Sequence, residues 1–192
     1  MLYSWDMNTF PEIVSHSLTL KAQSPRLLLV ETEGRPSEGI TELFAALALR
    51  GPFYAIAGGE WLPTYALVRS LRRRTHAIQQ ILGRIRLARP FTCYQVLDLL
   101  TDIRPERDPV LVLDFLHHFH NPDIPLPVRQ RVLEQCCKRL EDLSLSRKLL
   151  VFLQTLETEE YRSFFPIVAE AADEILQAAE APGEEALQPA LF

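Results

Sequence analysis

The chain has 192 residues, 47% of them hydrophobic and 23% charged, with a formal net charge of −5. That length supports one domain with a sizeable core, and the apolar fraction excludes an intrinsically disordered chain. No apolar run reaches the ~18 residues of a membrane span, and the first ten residues lack the charged-then-apolar order of a secretory signal, so a cytoplasmic location and no membrane partner are expected.

Residues 1–25 read as an N-terminal helical segment packed on the body. Pro11 suits the first turn of a helix toward Leu20, Asn8 or Thr9 can cap it, and Trp5 and Phe10 supply packing. Leu27 to Val30 is an unbroken apolar run, as a strand buried on both faces requires. A glycine-bounded stretch from Gly34 to Thr41 follows, and then Leu43, Phe44, Leu47 and Ala48 recur at helical spacing. Gly51-Pro52 breaks the chain before a second strand, Phe53 to Ala57, which Gly58-Gly59 ends.

From Pro63 the spacing predicts one long helix to about Leu82. Its apolar side is Leu67, Leu71, Ile78 and Ile81, and its polar side carries Arg69, Arg72, Arg73 and Arg74. A third strand over Ile85 to Phe91, ended by Pro90, leads to a helix with Thr92 as N-cap. Val110 to Asp114 is a fourth strand, apolar until its closing acid. His117 to Pro127 reads as a proline-punctuated loop, followed by a helix from about Val128 to Leu143. Leu149 to Leu153 is a fifth strand, ended by Gln154. Glu157 to Ala171 reads as helix, interrupted or started afresh at Pro166. Ala172 to Ala179 is ambiguous and admits a short last strand; residues 181–192 read as a flexible tail.

Short apolar strands alternating with helices predict an α/β fold: a mostly parallel sheet covered on both faces. The three cysteines, Cys93, Cys136 and Cys137, form no ligand pattern and read as small buried hydrophobes. His117, His118 and His120 invite a zinc site, but without a nearby cysteine they read as loop histidines satisfied by solvent or backbone.

Strand, eight-residue glycine-bounded loop and helix are the layout of a phosphate-binding loop, G-x-x-x-x-G-K-[ST]. Gly34, Gly39 and Thr41 fit it, while Ile40 stands where the lysine belongs. Together with Ala88 to Leu100 (ARPFTCYQVLDLL), the VLVLD strand ending at Asp114, Arg129-Gln130 and Gln154, this order is similar to the core of the RecA/RadA recombinase family of P-loop ATPases, over about Arg26 to Ala179. The resemblance implies a three-layer RecA-like core over residues 26–180. It also implies a nucleotide site at Gly34, Gly39, Ile40, Thr41 and Gln154, with Asp114 and Thr41 on the Mg²⁺ side.

Several residues depart from the family's chemistry. Ile40 cannot neutralise phosphate charge, Pro36 removes one loop N–H, and Glu31, Glu33 and Glu38 crowd the same region. Glu60 lies one or two places past the position of the family's catalytic glutamate. Asp114 is open to two readings, metal ligand or strand-end carboxylate. The family's DNA loops would fall at His117 to Pro127, which has no lysine or arginine, and after Gln154, where the chain is acidic. Arg69, Arg72 and Arg73 can share a helix face for DNA phosphates or an acidic partner.

The expected function is a non-catalytic, pseudo-ATPase accessory protein with no required cofactor. It would contact a recombinase or repair factor, and DNA only within such a complex. Two alternatives stay open: an ATP- and Mg²⁺-binding ATPase, and a RecA-fold regulator of the kind that inhibits cell division.

Overall fold

The computed structural model describes residues 4–5, 26–32, 37–59, 64–103 and 107–178. In chain order the strands are β1 (Ser4–Trp5), β2 (Leu27–Thr32), β3 (Phe53–Ala57), β4 (Ile85–Ala88), β5 (Val110–Leu113), β6 (Leu149–Gln154) and β7 (Glu174–Ala178). The α-helices are α1 (Ser37–Arg50), α2 (Thr64–Arg72), α3 (Ile78–Leu82), α4 (Cys93–Asp102), α5 (Leu126–Ser144) and α6 (Glu159–Glu170). All strand pairs are parallel, in the order β1-β7-β2-β6-β5-β3-β4.

Strand alternation divides the core into two layers. In β2, Leu28 and Val30 join Phe44, Phe53, Leu71 and Phe152 under α1, α2 and α3. Leu27 and Leu29 face the other way, with Leu133, Leu140, Val151 and Phe164 under α4, α5 and α6. Successive strand side chains point to opposite faces, so a strand in the middle layer must be apolar at every position. That is why β2, β5 and β6 read as unbroken hydrophobic runs.

Four boundaries differ from the sequence reading. The long helix from Pro63 is two helices. The amides of Arg74 and Thr75 both donate to the carbonyl of Leu71 at 2.9 Å. Thr75 Oγ1 then accepts from the Ala77 amide, a local side-chain bond that competes with helix continuation. The third strand stops at Ala88, at the free edge of the sheet. α5 starts at Leu126, because Pro127 is tolerated in a first turn, where its missing N–H costs nothing. α6 runs through Pro166 without restarting; buried Tyr161, Phe164 and Val168 hold both halves on the sheet, and the orphaned carbonyl belongs to exposed Arg162.

The ambiguous stretch is the strand β7. The expected helix toward Leu20 lies outside the described residues, while Ser4–Trp5 forms a strand against β7 that the sequence reading did not include. Thr92 caps α4 as expected: its Oγ1 accepts from the Gln95 amide at 3.2 Å. Among the described residues, no helix is long and apolar enough to cross a membrane.

Candidate functional site at the carboxyl end of the sheet

In open parallel sheets, ligands collect outside the carboxyl ends of the strands. Here those ends bring together Thr32 of β2, the Gly58-Gly59 turn after β3, Asp114 after β5 and Gln154 of β6. Thr32 and Gln154 lie opposite each other in the β2–β6 register. Gly34 and Glu60 lie outside the described residues.

α1 begins at Ser37, so Gly39, Ile40 and Thr41 belong to its first turns. Ile40 is 0% exposed and packs with Leu43 and Phe44 in the core layer under α1. Position 40 is therefore a core position in this chain. Thr41 and Gly39 are buried beside it. The buried carboxylate of Glu31 accepts from Tyr161 Oη at 2.7 Å and from Gln177 Nε2 at 3.3 Å. Burial, reinforced by Glu31, pushes the Tyr161 hydroxyl far above its ordinary ionisation range.

Asp114 combines burial with an unusual backbone. It is 8% exposed and sits at φ 49°, the left-handed region that L residues rarely occupy. Its Oδ2 lies 3.2 Å from His117 Nδ1. The glycine turn after β3 is shaped around this pair. A Cβ on Gly58 would lie 2.4 Å from the Asp114 carbonyl, and one on Gly59 would lie 2.8 Å from Asp114 Oδ2 and 3.1 Å from His117 Nδ1. Gly59 itself has φ 58°. The sequence marks the two glycines as a strand end; their second role, Gly58 making room for the Asp114 carbonyl and Gly59 for its carboxylate, has no local signature.

The segment after β5 is less irregular than expected. His117–His120 forms a 3-10 turn, tied down by a group the sequence reading did not assign. Arg129, in the first turns of α5, is 4% exposed. It donates from Nη1 to the Phe119 carbonyl and from Nη2 to Glu160 Oε1 of α6, both at 2.8 Å. His120 Nδ1 lies 3.4 Å from the other Glu160 oxygen. One arginine thus fastens the segment after β5 to the helix after β6. The bond from Arg129 holds the Glu160 carboxyl below its usual range. Burial lowers the ionisation of His118 and His120. Among the described residues, no group of three or more His, Cys, Asp or Glu is placed to hold a metal.

The arginines of α2 and of the turn after it are not equivalent. Arg74 pairs with Glu42 of α1, and Arg73 reaches the same carboxylate at 4.0 Å. Arg69 and Arg72 point to solvent. The three cysteines are buried and free; burial raises all three thiols, that of Cys137 to about 12, which makes them inert at neutral pH.

No protein-family model matches the chain, and no curated protein matches it in sequence. Among solved structures, the crystal structure of the RadB recombinase superposes with a TM-score of 0.62 at 17% identity, over 83% of this chain and 77% of that one. At that identity the likeness speaks for architecture alone, and the architecture is the RecA-like α/β fold.

Proposed function

We infer that the chain is a non-catalytic RecA-like accessory protein, acting in the cytoplasm by contact with another protein in DNA recombination or repair, and working without nucleotide. One observation carries this: Ile40, in the lysine position of the phosphate loop, is fully enclosed in the core. In a working P-loop the lysine neutralises the β- and γ-phosphates. Here no cation can project from that position without abandoning a packing site.

Two further features support the reading. The segments that would correspond to DNA loops are fastened to each other by Arg129 and Glu160. The Asp114 carboxylate, on the Mg²⁺ side of the resemblance, has His117 Nδ1 at 3.2 Å from its Oδ2. The partner is a recombinase or repair factor, and DNA is reached only through that complex. Isothermal calorimetry with ATP and Mg²⁺ tests the reading. No heat of binding is expected; saturable binding, or ATP turnover abolished by Asp114→Ala, would sink it.

A further inference from the structure

α2 has one face that the fold leaves uncovered. Leu67, Ser70 and Leu71 turn inward, and Ser70 Oγ donates to Glu42 Oε1 of α1 at 2.8 Å. On the opposite side Tyr65, Arg69 and Arg72 stand at i, i+4 and i+7, a straight ridge about 10 Å long. Tyr65 is 81% exposed, and both arginines are exposed with it.

The neighbouring arginines are already engaged. Arg73 and Arg74 serve Glu42, Arg86 serves Asp108, and Arg84 donates to the carbonyls of Ala48 and Leu49. Arg69 and Arg72 have no ion pair or hydrogen bond among the described residues. The structure thereby separates Arg69 and Arg72 from Arg73, three residues that the sequence treats alike.

We propose that this ridge docks a carboxylate-bearing helix of a partner protein, with Tyr65 making the apolar contact and Arg69 and Arg72 each pairing with an acid. The proposal rests on the partner-binding function above and names the contact surface. Its basis is charge complementarity: on a chain of net charge −5, two exposed arginines with no ion pair among the described residues stand beside an 81% exposed tyrosine. Tyrosine and arginine are also the side chains that dominate interface energetics. Nucleic acid fits less well. The two cations of the ridge release about two counterions, whereas firm backbone binding takes on the order of 6–10 phosphate contacts. A second copy meeting the ridge across a two-fold axis would set like charges together.

The test uses the full chain and a labelled synthetic helical peptide with leucine at i and glutamate at i+4 and i+7, made in both sequence directions. Binding is followed by fluorescence anisotropy, with an oligothymidylate single strand titrated in parallel. At least one peptide should bind. Tyr65→Ala and the double variant Arg69→Glu/Arg72→Glu should each weaken it about tenfold or more, while Arg73→Glu changes it less than about twofold. All four side chains are exposed, so the variants keep the fold, which circular dichroism checks. Absence of peptide binding, or binding that survives the double reversal, overturns the proposal. So does an oligothymidylate that binds more tightly than the peptide and is lost in the same variants. Nucleotide takes no part in this titration, so heat from ATP would count against the function above while leaving the ridge result standing.

Discussion

Ile40 is a packing residue of the core at the start of α1. A lysine there would have to place an ammonium among Leu43, Phe44 and the other residues of that core layer. Burying an unpaired charge costs several kcal/mol, more than a few loop hydrogen bonds of about 1 kcal/mol each could return. Ile40→Lys should therefore lower stability by about 3 kcal/mol or more and confer no ATP affinity. Urea unfolding and calorimetry on the same variant check both halves. Gly59 makes the complementary point. Gly59→Ala combines a positive φ with a 2.8 Å approach to Asp114 Oδ2 and should cost about 1–3 kcal/mol, read as a lower urea midpoint at unchanged m. The serial glycines are visible in the sequence, but the residue they accommodate, Asp114, arrives more than fifty residues later.

Between elements, the Arg129 clasp has an asymmetry that can be measured. Arg129 is enclosed, whereas the Glu160 side chain is 37% exposed. Removing the carboxylate strands a buried guanidinium; removing the guanidinium leaves a carboxylate that water can reach. Glu160→Ala should thus destabilise by about 3 kcal/mol and Arg129→Met by less, since breaking a buried pair costs most when the buried partner remains. Thermal unfolding of the two variants ranks them, and an equal or reversed order refutes the argument. In α6, Pro166 forfeits a backbone bond on an exposed face. Pro166→Ala should stabilise by about 1 kcal/mol, the helical gain being partly offset by a freer unfolded chain. The Thr92 cap was legible because capping is local, and so were the apolar strands. The broken helix after Arg72 was not, because Arg-Arg-Arg-Thr carries no breaker and the stop is made by one threonine bond.

For the molecule as a whole, acid should be the weak direction. The folded-state ionisation of His118 and His120 lies below the ordinary value of 6.5, so the unfolded chain takes up these protons first. Stability is then complete above about pH 6.5 and declines as pH falls through it, by at most about 1.4 kcal/mol per pH unit for each histidine. Glu160, lowered from 4.5, adds a loss only at still lower pH. Melting temperature should fall between about pH 7.5 and pH 5.5, and His118→Gln should flatten the slope. A flat profile in the parent chain would refute this. The α/β class and the RecA-like architecture were readable from strand periodicity and motif order, both of which are properties of short stretches. The Arg129–Glu160 clasp was not, because it joins residues 31 apart that only the tertiary fold brings together.

The sheet order also dictates a schedule. β2 lies between β6 and β7, with Leu27 opposite Leu149 and Leu28 opposite Glu174, while Ser4 waits for Gln177. A ribosome releases these segments from the amino end first, so this interior strand leaves the tunnel long before either neighbour exists. During that interval Leu27 to Val30 is an unpaired, wholly apolar strand with both edges open, the kind of segment that other chains can capture. Ser4 and Trp5, made well before β7, can pair only once Gln177 and Ala178 have been made.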